Sequence, residues 1–173
     1  MNLDIALQTK SFLRFTGPPE HWLTAIKYMT WGLEEHLRDQ WARIRPGDIF
    51  FIHSMKKSAF KNARSGIIGL GVVGPGFSEK QNPLWFYETL KNVNRWPLLV
   101  PLSEIYLFSE VSPPSTWDNP SPNNVEQTKI LIDSLLANYI PLNQVTGFPQ
   151  MGSFSTVKPD VANIILYLSL IHI

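Results

Sequence analysis

Several features that would point to common protein classes are missing from this 173-residue sequence. It contains no cysteine, which excludes disulfide bonds, thiolate metal sites and a cysteine nucleophile. It has no apolar run long enough for a transmembrane helix, and its N-terminus lacks the basic start and apolar core of a signal peptide. The formal net charge is only +1, so nucleic-acid binding would have to depend on a local basic patch. We therefore expect a cytoplasmic domain with no membrane partner.

Motifs for catalysis and cofactor binding are missing as well. The sequence has no GxxxxGK[ST] phosphate loop and no GxSxG nucleophile motif. GLGVVG at residues 69–74 matches GxGxxG, but it lies inside a predicted strand and precedes PGF rather than a helix, which excludes a dinucleotide-binding turn. The histidines form no recognisable close metal-binding pair. We predict that the protein is not an enzyme and binds no metal and no cofactor.

The apolar residues and their spacing predict one α+β domain over residues 1–173. Hydrophobic residues make up 44% of the chain, which is enough for a core and excludes disorder. Strands are predicted at LDIALQ, IFFI, GIIGLGVVGPG, WPLLVPL and EIYLFSEV. Helical spacing predicts helices over residues 20–29, 33–43, 125–137 and from Pro159 to about Leu170. This order of elements predicts a small twisted β-barrel, or barrel-like sheet, flanked by helices.

Tryptophan is abundant in this chain, with six residues. Trp22 and Trp41 fall on the apolar faces of predicted helices, and we assign them to the core. Trp31 and Trp85 lie at element boundaries beside glycine or proline, where a large ring either fills the core or lines a cleft. Position alone leaves both alternatives open, with core packing the commoner role of a buried tryptophan.

One stretch of the chain, MKKSAFKNAR, is basic and contains no acid. It carries Lys56, Lys57, Lys61 and Arg64 between two predicted strands, with Phe60 among them. Cations can hold phosphates while an aromatic ring stacks on a base, so this composition suits a nucleic-acid strand. We predict phosphate contacts from the four basic residues, and an ordinary solvated loop is the alternative.

The order of several short motifs resembles the YTH domain. TKSF followed by HWLTAIKYMTWG resembles the start of that domain, and GDIFFIHS and SGIIGLGVVGPG resemble its next strands. RWPLLVPLSEI resembles a later strand, and VTGFPQMGSFSTVKPDVANIILYL resembles its closing loop and helix. The RPGD turn and RWP are also typical of the sister EVE domains, within the broader PUA-like superfamily. Each motif is weak alone, but together they cover nearly the whole chain.

This resemblance implies a small β-barrel that binds nucleic acid by taking one modified base into an aromatic cage. In YTH domains the base is N6-methylated adenine, usually in RNA, whereas similar domains at the N-terminus of McrB-type restriction subunits recognise modified DNA. We expect a DNA reader that flips the base out of the duplex. It would be the N-terminal part of a longer protein, acting with a downstream GTPase motor and a nuclease subunit. The alternatives are an RNA-binding YTH or PUA-like domain and a protein-interaction module that docks through SPPSTWDNPSP.

The resemblance also implies the cage residues. Trp31 matches the first cage tryptophan, which follows the IKY segment of the family. The second cage aromatic comes from the loop before the RWP strand, where this chain has Trp85, Phe86 and Tyr87. We choose Trp85 as the second cage residue.

Contacts with the edge of the base are implied at four further positions. Lys10, Ser11 and Phe12 match the Lys-Ser-aromatic triplet of the family. His21 occupies a position where the family often has Asp or Asn, and a neutral imidazole offers one donor and one acceptor instead. If His21 contacts the base with its reference pKa of about 6.5, base preference should change between about pH 5.5 and 7.5.

Overall fold

The structure, a computed structural model, describes residues 12–172. The predicted first strand and two predicted contact residues, Lys10 and Ser11, lie outside the described residues. The strands are β1 (Phe12–Gly17), β2 (Thr30–Leu33), β3 (Ile49–Ser54), β4 (Gly66–Val73), β5 (Ser78–Glu79), β6 (Leu98–Leu107), β7 (Ile140–Pro141) and β8 (Phe154–Thr156). The helices are α1 (Pro19–Tyr28), α2 (Arg38–Trp41), α3 (Phe86–Lys91), α4 (Val125–Leu135) and α5 (Pro159–His172), with 3₁₀ turns at Glu35–Leu37 and Leu142–Gln144.

The strands form one curled, half-barrel sheet, and the predicted α+β class with a barrel-like sheet flanked by helices is confirmed. Its order is β2-β6-β4-β3-β1-β8, with β5 paired to β6 and β7 paired to β4. The β1 and β3 strands are parallel, and the other neighbours on this path are antiparallel. The parallel pair requires a crossover connection, which here contains α1, β2 and α2.

The sheet separates two apolar cores, which explains the uninterrupted apolar run in β3. Phe50 and Ile52 point into a main core with α1 and α4, whereas Ile49 and Phe51 point into a second core with α5. Successive side chains of a strand alternate between faces, so a strand covered on both sides is apolar throughout. Predicted strand IFFI is therefore buried on both faces.

The end of α1 directs the chain into the strand that carries Trp31. Pro19 opens the helix, where a missing backbone N–H costs nothing. Met29 ends it with φ of 52°, and its N–H donates to the carbonyl of Ala25. This left-handed residue turns the chain sharply at the end of α1. Trp31 therefore lies on β2, beside the helix, and not on a continuation of the helix.

One predicted helix and two predicted strands differ from the structure. The predicted helix over residues 33–43 is replaced by the end of β2, a 3₁₀ turn and the four-residue α2. Its apolar spacing is helix-like, but Trp31 and Leu33 alternate as strand residues paired to Val100 and Leu98 of β6. The two strands predicted at WPLLVPL and EIYLFSEV are the single strand β6, which pairs with β2 and β5 through its first half and with β4 through its second half.

Glycines in β4 lie where other groups approach the backbone closely, as their place inside a predicted strand indicates. A Cβ atom on Gly69 would lie 2.5 Å from the carbonyl oxygen of Tyr106. A Cβ atom on Gly71 would overlap the ring of Phe50. These contacts bring β4 tightly against β6 and against the aromatic core.

Candidate nucleic-acid interface

A cleft of about 510 Å³ opens beside the start of α1. Its walls come from the β1–α1 turn, β2, the loop after β3 and the segment from Trp85 to Trp96. This volume lies within the range of ordinary small-ligand pockets. Of the predicted site residues that the structure describes, four line it, namely Trp31, Trp85, His21 and Lys57.

The two predicted cage residues meet each other in the wall of the cleft. The Trp31 ring stacks on Trp22 with centroids 3.8 Å apart and planes 7° apart. The Trp85 ring contacts Trp31 edge to face at 5.9 Å, and Trp96 contacts Trp85 in the same way at 6.2 Å. Trp31 and Trp85 are therefore brought together, but they do not face each other across a gap. A base sandwiched between them would require one ring to move.

Two glycines allow the rings to sit where they do. A Cβ atom on Gly17 would lie 2.5 Å from Cη2 of Trp31, and one on Gly32 would lie 2.6 Å from Cη2 of Trp85. Real Cβ atoms do not approach other heavy atoms so closely without a shift of one of them. The bare backbone of Gly17 and Gly32 thus seats the two indoles.

Both indoles also carry a donor without an acceptor. Within the described part of the chain, the buried side-chain polar atoms without a hydrogen-bond partner are Nε1 of Trp31, Nε1 of Trp85 and Oγ of Ser54. A buried donor left unpaired costs about 1–3 kcal/mol. Because such groups are rare in native structures, the two cleft-lining residues that carry them are candidate ligand-binding residues.

His21 is buried at the cleft and is held as a neutral side chain. Its Nε2 accepts a hydrogen bond from the backbone N–H of Tyr87 at 3.4 Å, and its ring packs edge-on against Trp96 at 5.1 Å. Burial first, and the charge of Arg95 second, lower the pKa of His21 to about 3. The prediction that His21 titrates near its reference pKa is therefore wrong, because the imidazolium is disfavoured in this apolar site.

Phe12 does not lie at the cleft. It is buried in the second core, where its ring stacks on Phe51 with centroids 6.2 Å apart. The sheet lies between this core and the main core that contains Trp31 and Trp85. The implied base-edge role of the Phe12 side chain is thus not compatible with its position, and β1 alternation explains why it faces away.

The predicted phosphate-binding residues are divided by the fold. Lys57 lines the cleft, and Lys56 is exposed beside it. Lys61 instead forms an ion pair with Asp133 of α4 at 2.6 Å, and Arg64 donates to the Tyr139 hydroxyl at 3.3 Å. The basic loop therefore presents Lys57 to the cleft and turns its later residues towards α4 and β7.

This basic loop is anchored to the rest of the cleft. The buried carboxylate of Glu20 accepts from the Ser58 hydroxyl at 2.7 Å and from the Ala59 N–H at 2.9 Å. Phe60 packs against Phe86 with ring centroids 4.7 Å apart. The aromatic ring within the basic stretch is therefore used for packing, and the loop forms a fixed wall.

Sequence reasoning missed Arg95 and Trp96 and placed Tyr87 only as an alternative cage residue. The guanidinium carbon of Arg95 lies 5.1 Å from the ring centroids of both Tyr87 and Trp96, and all three residues line the cleft. Oε1 of Glu34 lies 3.5 Å from the guanidinium. The sequence signal that could have identified them is the Arg-Trp pair just before a predicted strand, because a cation next to an aromatic ring is typical of single-strand binding surfaces.

A buried carboxylate fixes the segment that carries Trp85 and Trp96. Glu88 is fully buried, and its oxygens accept from the backbone N–H groups of Leu84, Trp85 and Trp96 at 3.0, 3.2 and 3.0 Å. Its Oε2 also pairs with Nζ of Lys80 at 2.5 Å. One carboxylate thus holds both ends of this wall, and charge-assisted hydrogen bonds of this kind are among the strong ones.

The Pro-rich loop proposed as a docking segment is tied to the domain. Trp117 is buried and donates through Nε1 to Thr128 at 3.0 Å. Asn119 accepts from the Thr24 hydroxyl at 2.7 Å, and Asp118 pairs with Lys27. These contacts join the loop to α1 and α4.

Two kinds of feature are absent from the described residues. Residues 12–172 contain no group of three or more histidine, aspartate or glutamate side chains that could hold a metal ion. In the same range, no helix combines the length and the apolar character needed to cross a membrane.

Comparisons with known proteins identify the fold. No family model matches the sequence, and no curated protein matches it. Two solved structures of the Mmi1 YTH domain with RNA are each 8% identical, with TM-scores of 0.52 and 0.50. They cover 93% and 91% of this chain, which in turn covers 78% and 80% of them. The chain has a YTH-like fold. The YTH domain of Zygosaccharomyces rouxii MRB1, in complex with N6-methyladenosine RNA, is 10% identical with a TM-score of 0.47 over 92% of this chain and 86% of that one.

The YTH part of the sequence resemblance is confirmed at the level of the fold. The resemblance to McrB-type restriction subunits has no counterpart among these structures. Because the identities are so low, the YTH-like fold says where elements lie and not which ligand this chain binds.

Proposed function

We propose that this chain is a nucleic-acid-binding reader domain that takes one modified base of a single-stranded RNA into the aromatic cleft. N6-methylated adenine is the modification that we propose first. The observation that carries this proposal is the cleft wall of Trp31 and Trp85, with two unpartnered indole N–H groups. The protein acts as a binding module in this proposal and carries out no chemistry.

Single-stranded RNA is a better candidate than duplex DNA for two reasons. The Mmi1 structures with this fold are complexes with RNA, which supports RNA by analogy. A single-stranded base also avoids the few kcal/mol that extraction from a duplex costs. The first expectation from sequence, a DNA-targeting module of a restriction system with GTPase and nuclease partners, gains no support from the comparisons.

Recognition of a methyl group in such a cleft requires more than burial. Burying one methyl contributes about 0.8 kcal/mol, which is roughly a fourfold preference. Stacking contributes about 1–3 kcal/mol per base, but to any base. An unmethylated amine would leave a second donor without a partner in this wall, at about 1–3 kcal/mol. The apolar surroundings therefore disfavour the unmodified base by more than they favour the methyl group.

A binding panel tests this function. Tryptophan fluorescence would be titrated with one short sequence as RNA and as DNA, single- and double-stranded, each with and without N6-methyladenine. We expect the methylated single-stranded RNA to bind at least about tenfold more tightly than its unmethylated form. Equal affinity for the two forms would reject a methyl reader, and tighter binding to methylated duplex DNA would restore the DNA alternative.

A further inference from the structure

Three side chains form the rim of the cleft, outside the wall of buried tryptophans. The Arg95 guanidinium lies beside both the Tyr87 and the Trp96 ring, 5.1 Å from each centroid. Tyr87 and Trp96 contact each other edge to face at 5.7 Å. This arrangement holds a cation and two aromatic rings together at the cleft opening, so the rim is a preformed surface rather than a set of separate side chains.

The rim differs from the wall in its exposure. Trp85 is 2% exposed, whereas Tyr87, two residues later in the first turn of α3, is 38% exposed. The Arg95 side chain is 46% exposed. A base in contact with the wall would be enclosed. The next base of the same strand would then lie beside Tyr87 and Arg95.

We propose that Tyr87 and Arg95 form a stacking platform for the nucleobase next to the enclosed one, so that the domain binds two consecutive bases of a single strand. This inference rests on the proposed function, because the platform has a role only when a base occupies the cleft. Aromatic rings and guanidinium groups both stack on bases, and every base has a flat face on which they can stack.

A base suits this rim better than a phosphate does. Oε1 of Glu34, 3.5 Å from the Arg95 guanidinium, already offsets its charge and would repel an anion. The exposed Lys57, which also lines the cleft, has a compact ammonium and is the better phosphate contact. The rim therefore supplies flat surface, and the basic loop supplies charge.

The test pairs variants of the protein with variants of the RNA. Three short single-stranded RNAs would carry one central N6-methyladenosine, with both neighbouring bases intact, with the 5′ base removed, or with the 3′ base removed. Dissociation constants would be measured for wild type, Tyr87→Ala, Tyr87→Phe and Arg95→Lys. Tyr28→Ala is the matched control, because Tyr28 is also exposed and also lies under a cation, Lys27, but does not line the cleft.

The platform predicts coupling between Tyr87 and one neighbouring base. Removal of that base should weaken wild-type binding about tenfold, and Tyr87→Ala should weaken binding of the intact RNA by a similar factor. The two losses should not add, so Tyr87→Ala should bind that abasic RNA as wild type does. Tyr87→Phe should keep the coupling, Arg95→Lys should reduce it, and Tyr28→Ala should change nothing.

Two outcomes would overturn the platform. One is a Tyr87→Ala variant that binds all three RNAs as wild type does. The other is a variant that loses the same factor on all three, which would assign Tyr87 to the enclosed base or to folding, and thermal melting would separate these. Failure of wild type to bind any of the RNAs would instead reject the proposed function itself.

Discussion

Trp31 belongs to the core and to the cleft at the same time. One face of its indole is covered by Trp22, its edge meets Trp85, and it is 5% exposed, yet it lines the cleft. The sequence left core packing and ligand binding as alternatives, but a ring at an element boundary can do both. The resemblance to YTH domains identified Trp31 as a candidate. Its stacking on Trp22 depends on how α1 and β2 meet and could not be predicted from the spacing of residues.

Truncation of this ring should be costly even without a ligand. We expect Trp31→Ala to lower the free energy of unfolding by about 3–5 kcal/mol, because it empties a packed aromatic stack. Trp31→Phe should lose less, since a ring remains against Trp22. Denaturant unfolding of the free protein would measure both, and a loss below about 1 kcal/mol for Trp31→Ala would mean that the ring is not part of the core.

Two buried histidines should make the fold sensitive to acid. Burial is the main cause that lowers the pKa of His21 to about 3 and of His53 to about 4, with Arg95 and Arg14 as the lesser causes. Unfolded histidine titrates near 6.5, so the unfolded chain binds more protons below that pH and stability falls as pH drops from about 6.5 towards 4. At pH 5 each of the two histidines should lower the free energy of unfolding by on the order of 2 kcal/mol, relative to its value well above pH 6.5.

The histidine effect can be isolated by its slope. Unfolding free energies of wild type and His21→Gln would be compared between about pH 5 and 7, where the variant should show a shallower dependence on pH. Parallel slopes for wild type and His21→Gln would show that His21 does not titrate differently in the two states.

At the scale of elements, the segment from Lys80 to Trp96 behaves as one unit. Its helix α3 has only six residues, so helix propensity contributes little, and the buried Glu88 supplies the organisation instead. Lys80 also donates to Asn94 and to the carbonyl of Asn82, which closes the segment on itself. None of this was predictable from sequence, because an acid next to a threonine in a short helix looks like ordinary surface.

Loss of the Glu88 charge should destabilise this unit strongly. Glu88→Gln leaves Lys80 buried without its anion and should lower the free energy of unfolding by about 3–5 kcal/mol. Glu126→Gln is the matched control, because it breaks an exposed pair with Lys129 and should change stability by less than about 1 kcal/mol. Equal effects of the two substitutions in denaturant unfolding would argue against Glu88 as the organising group.

The long apolar elements were predictable, whereas the short strand β2 was not. Predicted helices over 20–29 and 125–137 match α1 and α4, and the buried run of β3 matches as well, since each has enough apolar residues to show its period. The four-residue β2 has too few residues for any period, and its pairing with β6 is decided by tertiary contact. The geometry of the candidate site could not be predicted from the sequence for the same reason, because Trp31 lies on β2.

At the scale of the whole molecule, a nearly neutral chain presents a basic loop on one side of an aromatic cleft. The sheet and its two cores hold the β1–α1 turn, β2 and the basic loop in place, so the cleft is built from segments far apart in sequence. The order of motifs predicted this fold, but the division of the basic run between cleft and α4 required the three-dimensional structure.

That division predicts unequal roles for two lysines. Lys57→Ala should weaken RNA binding and reduce the dependence of log affinity on log salt by about 0.7, the value for one contact on a single strand. Lys61→Ala is the control, since Lys61 pairs with Asp133 away from the cleft and should leave the salt dependence unchanged. Affinities measured at several salt concentrations would decide, and a reversed order would place the RNA along α4.

The indole N–H resonances of the isotope-labelled protein test the central claim most directly. The indoles of Trp22, Trp41 and Trp117 already donate to His53, Leu99 and Thr128, whereas those of Trp31 and Trp85 have no acceptor. On titration with N6-methylated single-stranded RNA, the Trp31 and Trp85 resonances should shift while those of Trp41 and Trp117 stay in place. Binding of the RNA with unchanged Trp31 and Trp85 resonances would contradict a base in this cleft.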